Sequence, residues 1–247
     1  MSVQIDTLVS VRRHLDLFSG IGGFALAAKW AGFETVAFCE KEEFPRKVLE
    51  KNFPGVPIHR DIRYLDGSEY AGVELITGGY PCQPFSTAGH QKGVQDHRHL
   101  WPEMLRIIEQ ARPSWVVAEN VSGHITNGLD SVLHDLEGTG YTTRSVVIPA
   151  GAVGARHRRE RCWIVAHRQS NGRHEGWANK GWGREGNAPR QEQRPGDVFS
   201  DIWELPLEAQ FCGGAHGIPD RVDRLTALGN AIVPQVAYQI LRCLRAH

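Results

Sequence analysis

The chain has 247 residues, 41% of them hydrophobic, and its 28 Lys and Arg balance 28 Asp and Glu. That is enough for one substantial core with a small appendage, and a net charge of zero neither favours nor excludes a polyanionic partner. Five scattered cysteines, odd in number and with no C-x-x-C pair, argue against a disulfide framework and a zinc knuckle and fit a reduced intracellular compartment. No signal-peptide core and no apolar run near the ~18 residues of a membrane span is evident, so no membrane partner is expected.

Strand-like apolar runs alternate with helical patterns along the chain, which predicts α/β units and a largely parallel sheet. HLDLF, residues 14–18, reads as a first strand, GGFALAAKWAGF as a helix closed near Gly32, and ETVAFCE, residues 34–40, as a second strand. EEFPRKVLEKNF is a helix with Pro45 in its first turn, stopped by Pro54 and Gly55. VPIHRDI, residues 56–62, is a short third strand, and VELITGG, residues 73–79, a fourth that runs into GGYPCQPFSTAG. LWPEMLRIIEQARP is an amphipathic helix ended by Pro113, SWVVAEN a fifth strand, and residues 129–136 are helical. YTTRSVVIPAG and RCWIVA are further strands. Residues 168–197 contain almost no aliphatic side chain and are expected to form a mobile loop or linker. A helical pattern returns from about residue 231.

Two constellations stand out. DLFSGIGG is a glycine-rich turn between a strand and a helix, and Gly20, Gly22 and Gly23 would let backbone approach a ligand at the helix N-terminus. Glu40 ends the second strand, where an acid accepts from ribose hydroxyls, and Asp61 ends the third, where a carboxylate would meet an adenine amino group. A bound adenosine follows, with NAD and S-adenosylmethionine both open; the G-x-G-G form leans away from NAD.

The second constellation surrounds Cys82. It follows the fourth strand, between Pro81 and Pro84, on the same sheet edge as the nucleotide pocket. A thiol needs positive neighbours to act as a nucleophile, and ARHRRERCW supplies Arg156, Arg158, Arg159 and Arg161. Glu119 ends the fifth strand. A thiol, an acid and a guanidinium together suit addition to a pyrimidine ring, with the acid on N3 and the guanidinium on O2. The polar, Gly-containing stretch 86–98 reads as a mobile lid over this site.

DLFSGIGG, GGYPCQPFS, ENV, RRERCWIV and LGNAIVPQVA, in that order, resemble the signature blocks of the DNA cytosine-5 methyltransferases, across roughly residues 13–166 and 219–240. The resemblance implies a Rossmann-like methyltransferase fold: an α/β protein with a mostly parallel mixed sheet, helices on both faces and a small, partly irregular insert. It implies a catalytic domain of residues 1–166 and 219–247 with a reduced target-recognition segment at 167–218. S-adenosylmethionine would be the methyl donor, with no metal, and a cytosine flipped from double-stranded DNA the acceptor. Cys82 would be the nucleophile and Glu119 the N3 partner; Arg161 would touch the cytosine and Arg159 support the catalytic loop. Phe18, Gly20, Gly22 and Gly23 would line the donor pocket, with Glu40 on the ribose, Asp61 on the adenine, Pro81 and Leu100 beside the adenosine and Asn230 closing the pocket. The C-terminal helix would pack beside the helix that follows the first strand. A monomer acting in the cytoplasm on the nucleoid is expected, and a cognate restriction nuclease is an open expectation.

His157 stands where the family has a glutamine before its R-x-R, and Tyr80 replaces a frequent proline. The segment before the asparagine block is much shorter than the family's recognition domain, which leaves sequence specificity open. Two alternatives remain at this point. One is an RNA cytosine-5 methyltransferase, although the Cys-Phe-Thr segment of the tRNA-modifying branch is missing. The other is a catalytically idle, partner-dependent DNA-binding homologue.

Overall fold

The computed structural model describes residues 11–81, 100–126, 128–155, 158–169 and 227–244. Strand β1, Arg12–Leu17, buries its last four residues on both faces, which places it centrally. That double burial is the mark of a parallel strand covered on each side. It pairs in parallel with β2, Phe33–Cys39, and with β4, Leu75–Gly78. Strand β3, Ile58–His59, extends the sheet beyond β2, and β5, Trp115–Val121, lies parallel to β4. The third strand is thus two residues long rather than seven. The Asp61 side chain accepts from the Arg63 backbone N–H, caps a short 3-10 turn over Ile62–Tyr64 and diverts the chain from the sheet.

The last two strands, β6 (Tyr141–Pro149) and β7 (Glu160–Arg168), form an antiparallel pair, and β7 also runs antiparallel to β5. The order is β3-β2-β1-β4-β5-β7-β6. The sheet is therefore mostly parallel with one reversed strand, as expected of the Rossmann-like methyltransferase architecture. The reversal has a direct result: β7 begins, rather than ends, at the edge where the parallel strands finish.

Helices cover both faces. Helix α1, Gly23–Trp30, packs with the C-terminal helix α5, Pro234–Cys243, on Leu75, Trp115, Val117 and Trp163. In α5 the apolar residues Val236, Ala237, Ile240 and Leu241 are all buried, the i, i+4 stripe of a helix lying on a core. The expected return of the chain's end beside α1 is present. Helix α2, Glu43–Asn52, adds Leu49 to a small cluster with Ala25 and Phe38. On the other face α3, Trp101–Ala111, inserts Met104, Ile107 and Ile108 between Ile76, Val116 and Ile164, and α4, Leu129–Gly138, adds Val132 and Leu136. Each fully buried aliphatic side chain of this kind contributes about 1.5–3 kcal/mol of transfer free energy.

Candidate active site at the carboxyl edge of the sheet

The parallel strands β1 to β5 all end on one edge, the place where open α/β sheets hold ligands. Phe18, Glu40, Pro81 and Asn120 lie on that edge because each follows or closes one of these strands. The turn after β1 puts Phe18 at φ 53° and Gly20 at φ 52°, two left-handed conformations on either side of Ser19. The Glu40 carboxylate locks this turn to the end of β2: Oε2 accepts from Gly20 N–H at 2.7 Å, and Oε1 accepts from Glu42 N–H at 2.8 Å.

The three glycines do different work. A Cβ on Gly20 would meet nothing within 4 Å, so open space stands over the turn there. A Cβ on Gly22 would lie 2.7 Å from Phe53 Cε2, and one on Gly23 would lie 2.7 Å from Ile232 Cγ1. Gly20 thus leaves room for a ligand, while Gly22 and Gly23 allow α2 and the C-terminal segment to close against α1. An open turn, a buried carboxylate and a helix N-terminus fit the ribose and the charged tail of a nucleoside such as S-adenosylmethionine.

Asp61 lies beyond β3 with its carboxylate paired to Arg63, Nη2 to Oδ2 2.5 Å, and that guanidinium holds its pKa below the usual carboxylate range. Leu100 is half-buried before α3, packed on the core, and Asn230 is exposed in a helical turn at 227–230. Cys82, the stretch 86–98, Arg156, His157 and nearly all of 167–218 lie outside the described residues.

The best-defined part of the site is charged. Glu119 lies opposite Trp163 in the β5–β7 register, and Arg161 is two residues earlier on β7, opposite Val121. Side chains alternate along a strand, so Arg161 shares the face of Glu119. Its Nε lies 2.9 Å from Glu119 Oε1. The N–H is not aligned with that oxygen, which carries no directed hydrogen bond despite its burial. Glu119 is 7% exposed. Burial pushes its pKa above the ordinary value, and the charges of Arg161 and Arg159 pull back in the other direction.

The chain leading into Cys82 is fixed beside this pair. A Cβ on Gly79 would lie 3.6 Å from Glu119 Oε2. The Asn120 Nδ2 donates to the Tyr80 carbonyl at 3.1 Å, and the Tyr80 hydroxyl meets His124 Nε2 at 2.7 Å. The Tyr80 ring also packs against Trp101, centroids 5.0 Å apart. The sequence reading missed this anchor of Asn120, His124 and Trp101. Its only signal was an aromatic at position 80, where an apolar turn residue needs no hydroxyl.

Arg159 has φ 30°, and the loop it was expected to support lies outside the described residues. Its Nη2 donates to the carbonyls of Gly229, at 2.7 Å, and Ala231, at 2.5 Å. The buried thiols are poor alternatives to Cys82 as a nucleophile: burial pushes Cys39 up to about 12 and Cys162 up to about 11.

The family model for C-5 cytosine-specific DNA methylase matches residues 12–208. Type II methyltransferase M2.BsuMI of Bacillus subtilis (strain 168) is 36% identical over 164 residues, covering 62% of this chain and 41% of that protein. Type II methyltransferase M.HhaI of Haemophilus parahaemolyticus is 32% identical over 168 residues, covering 66% and 51%. The chain spans about half the length of the curated relatives it matches. A putative DNA modification methyltransferase encoded within an E. coli prophage superposes with a TM-score of 0.54 at 26% identity, covering 63% of this chain and 46% of that one. The S. pombe Dnmt2 methyltransferase, at 22% identity and a TM-score of 0.56 over 65% of this chain and 52% of its own, shares the fold.

Proposed function

Because the chain belongs to the C-5 cytosine-specific DNA methylase family, we propose that it transfers a methyl group from S-adenosylmethionine to carbon 5 of a cytosine flipped out of double-stranded DNA, through a covalent adduct with Cys82. The observation that carries this reading is the pair of buried Glu119 and half-buried Arg161 beside Gly79, at the edge where the glycine turn leaves open space.

Cytosine carbon 5 is a poor nucleophile. Addition of the Cys82 thiolate to carbon 6 forms the S–C6 bond and moves the C5=C6 electron pair into the ring toward N3. A carboxyl group whose burial favours the protonated form is suited to hold a proton at N3 as that charge arrives. Arg161, fixed by Glu119, is suited to the adjacent O2. The donor, when bound, supplies an electrophilic methyl on a sulfonium. Carbon 5 takes that methyl, leaving a thioether, then gives its proton to solvent water; the electron pair of that C–H bond restores the C5=C6 double bond as the thiolate is expelled, and the N3 proton returns to Glu119. Phe18, Gly20, Glu40, Pro81, Leu100 and Asn230 are the proposed donor contacts, with Asp61 on the adenine and Gly22 and Gly23 shaping the turn. Residues 167–218 are the proposed recognition segment, and their Arg and Trp side chains the proposed phosphate and base contacts.

The test is DNA carrying 5-fluorocytosine, in which the fluorine cannot leave as a cation and the adduct persists. Labelled donor and this DNA should give a covalent complex with the wild-type chain and none with Cys82→Ala. A complex on tRNA alone would move the substrate to RNA, and none on either nucleic acid would favour the idle homologue.

A further inference from the structure

Arg159 sits two residues before Arg161 in the run RRERCW, yet the two side chains have different partners. Arg161 turns to Glu119. Arg159 turns to the other end of the chain, where its Nη2 bonds the carbonyls of Gly229 and Ala231, the two residues flanking Asn230. The next residue, Ile232, is the one pressed on Gly23, at the mouth of the glycine turn. The run 229–232 is therefore held between an arginine from the base side of the cleft and a glycine from the donor side. Reaching this position demands φ 30° at Arg159, an uncommon conformation for a residue with a side chain. Both bonds leave one Nη2 amino group, whose two hydrogens point in fixed directions in the guanidinium plane.

We propose that Arg159 is a positioning residue for the donor pocket, clasping the backbone on each side of Asn230. It lies beside the Glu119–Arg161 pair, whose charges act on it, so this one side chain faces both halves of the cleft. The inference rests on the donor-pocket reading above, and the experiment separates the two.

Titrating S-adenosylhomocysteine calorimetrically into the full chain tests the pocket itself; no binding by wild type would overturn the donor-pocket reading and the inference with it. With wild-type binding in hand, Arg159→Gln should weaken it roughly tenfold, the size of a lost contact-network coupling. At saturating donor, the rate of adduct formation on 5-fluorocytosine DNA should change little. Arg161→Gln should do the converse. The loss from Arg159→Gln should shrink in an Asn230→Ala background, since both changes then act on one contact. Should Arg159→Gln fail to fold, Arg159→Lys is to be measured in its place, with the same split expected at smaller size. Unchanged affinity in the variant, additive losses with Asn230→Ala, or a slowed adduct with normal donor affinity would each overturn the proposal.

Discussion

Glu119 shows how burial sets a residue's chemistry. Desolvation outweighs two nearby guanidinium groups in the direction of its pKa and favours the protonated form, the form the proposed reaction needs at N3. Glu119→Gln keeps the shape and removes the exchangeable acid. Methyl transfer should fall by about 10²–10⁴-fold, the range for losing a general acid, with S-adenosylhomocysteine affinity unchanged. A variant with wild-type turnover would remove Glu119 from the mechanism. A second buried group has a different consequence. His14 bridges Thr35, 2.9 Å from Nδ1, and Thr77, 2.7 Å from Nε2, and Thr77 donates to Asp16 at 2.7 Å. The Thr77 proton goes to Asp16, so its oxygen accepts from Nε2–H, and Nδ1 accepts the Thr35 proton. Burial lowers the His14 pKa to about 3. The unfolded chain therefore binds a proton below about pH 6.5 that the folded chain refuses, and stability from this group is lost as pH falls. At pH 5 the loss is about 2 kcal/mol. Asp16 has the opposite sign, because burial raises its pKa, so wild type alone does not isolate the effect. Denaturant unfolding of wild type and His14→Gln at pH 7 and pH 5 does: the gap between them should narrow at pH 5, and a gap independent of pH would contradict it.

At the scale of elements, the glycine turn and the C-terminal run are one packed unit. A methyl on Gly23 collides with Ile232, whereas a methyl on Gly20 finds open space and suffers only from its positive φ. Gly23→Ala should destabilise by about 1–3 kcal/mol, the usual size of overpacking, and Ile232→Ala should recover part of it. Gly20→Ala should instead weaken S-adenosylhomocysteine binding more than it lowers the melting temperature. Equal melting shifts for the two variants would refute the distinction. The strands, helices and helix-cap prolines were legible in the sequence because hydrophobic period and turn chemistry are local signals. The brevity of β3 was not, since VPIHRDI is apolar enough for a full strand and only the Asp61 cap, made through the Arg63 backbone, ends it. Nor was the antiparallel sense of β7: RCWIVA reads alike in either direction, and the pairing partner decides. The separate tasks of Gly22 and Gly23 were hidden for the same reason, because Phe53 and Ile232 are distant in sequence. Glu119 and Arg161 were legible as chemistry, while their proximity depends on that reversed strand.

At the scale of the whole molecule, mass action gives a direct check. A ligand that binds only the folded chain stabilises it by about 2.7 kcal/mol at a hundredfold excess over its Kd, so S-adenosylhomocysteine should raise the melting temperature and NADH should not. DNA affinity should fall steeply between low and moderate salt if arginines outside the described residues meet phosphates; a flat response would remove them from the interface. The reversed strand also sets where any such contacts hang. β7 starts at the catalytic edge and carries its nine residues to the opposite one, so the chain departs near Gln169 about 30 Å from the chemistry. It comes back at Gly229, under the Arg159 guanidinium. The described residues on either side of 170–226 therefore stand on opposite rims of the sheet. Both ends would stay in place whatever the length of the proposed recognition segment between them, so a change in its size need not disturb the sheet.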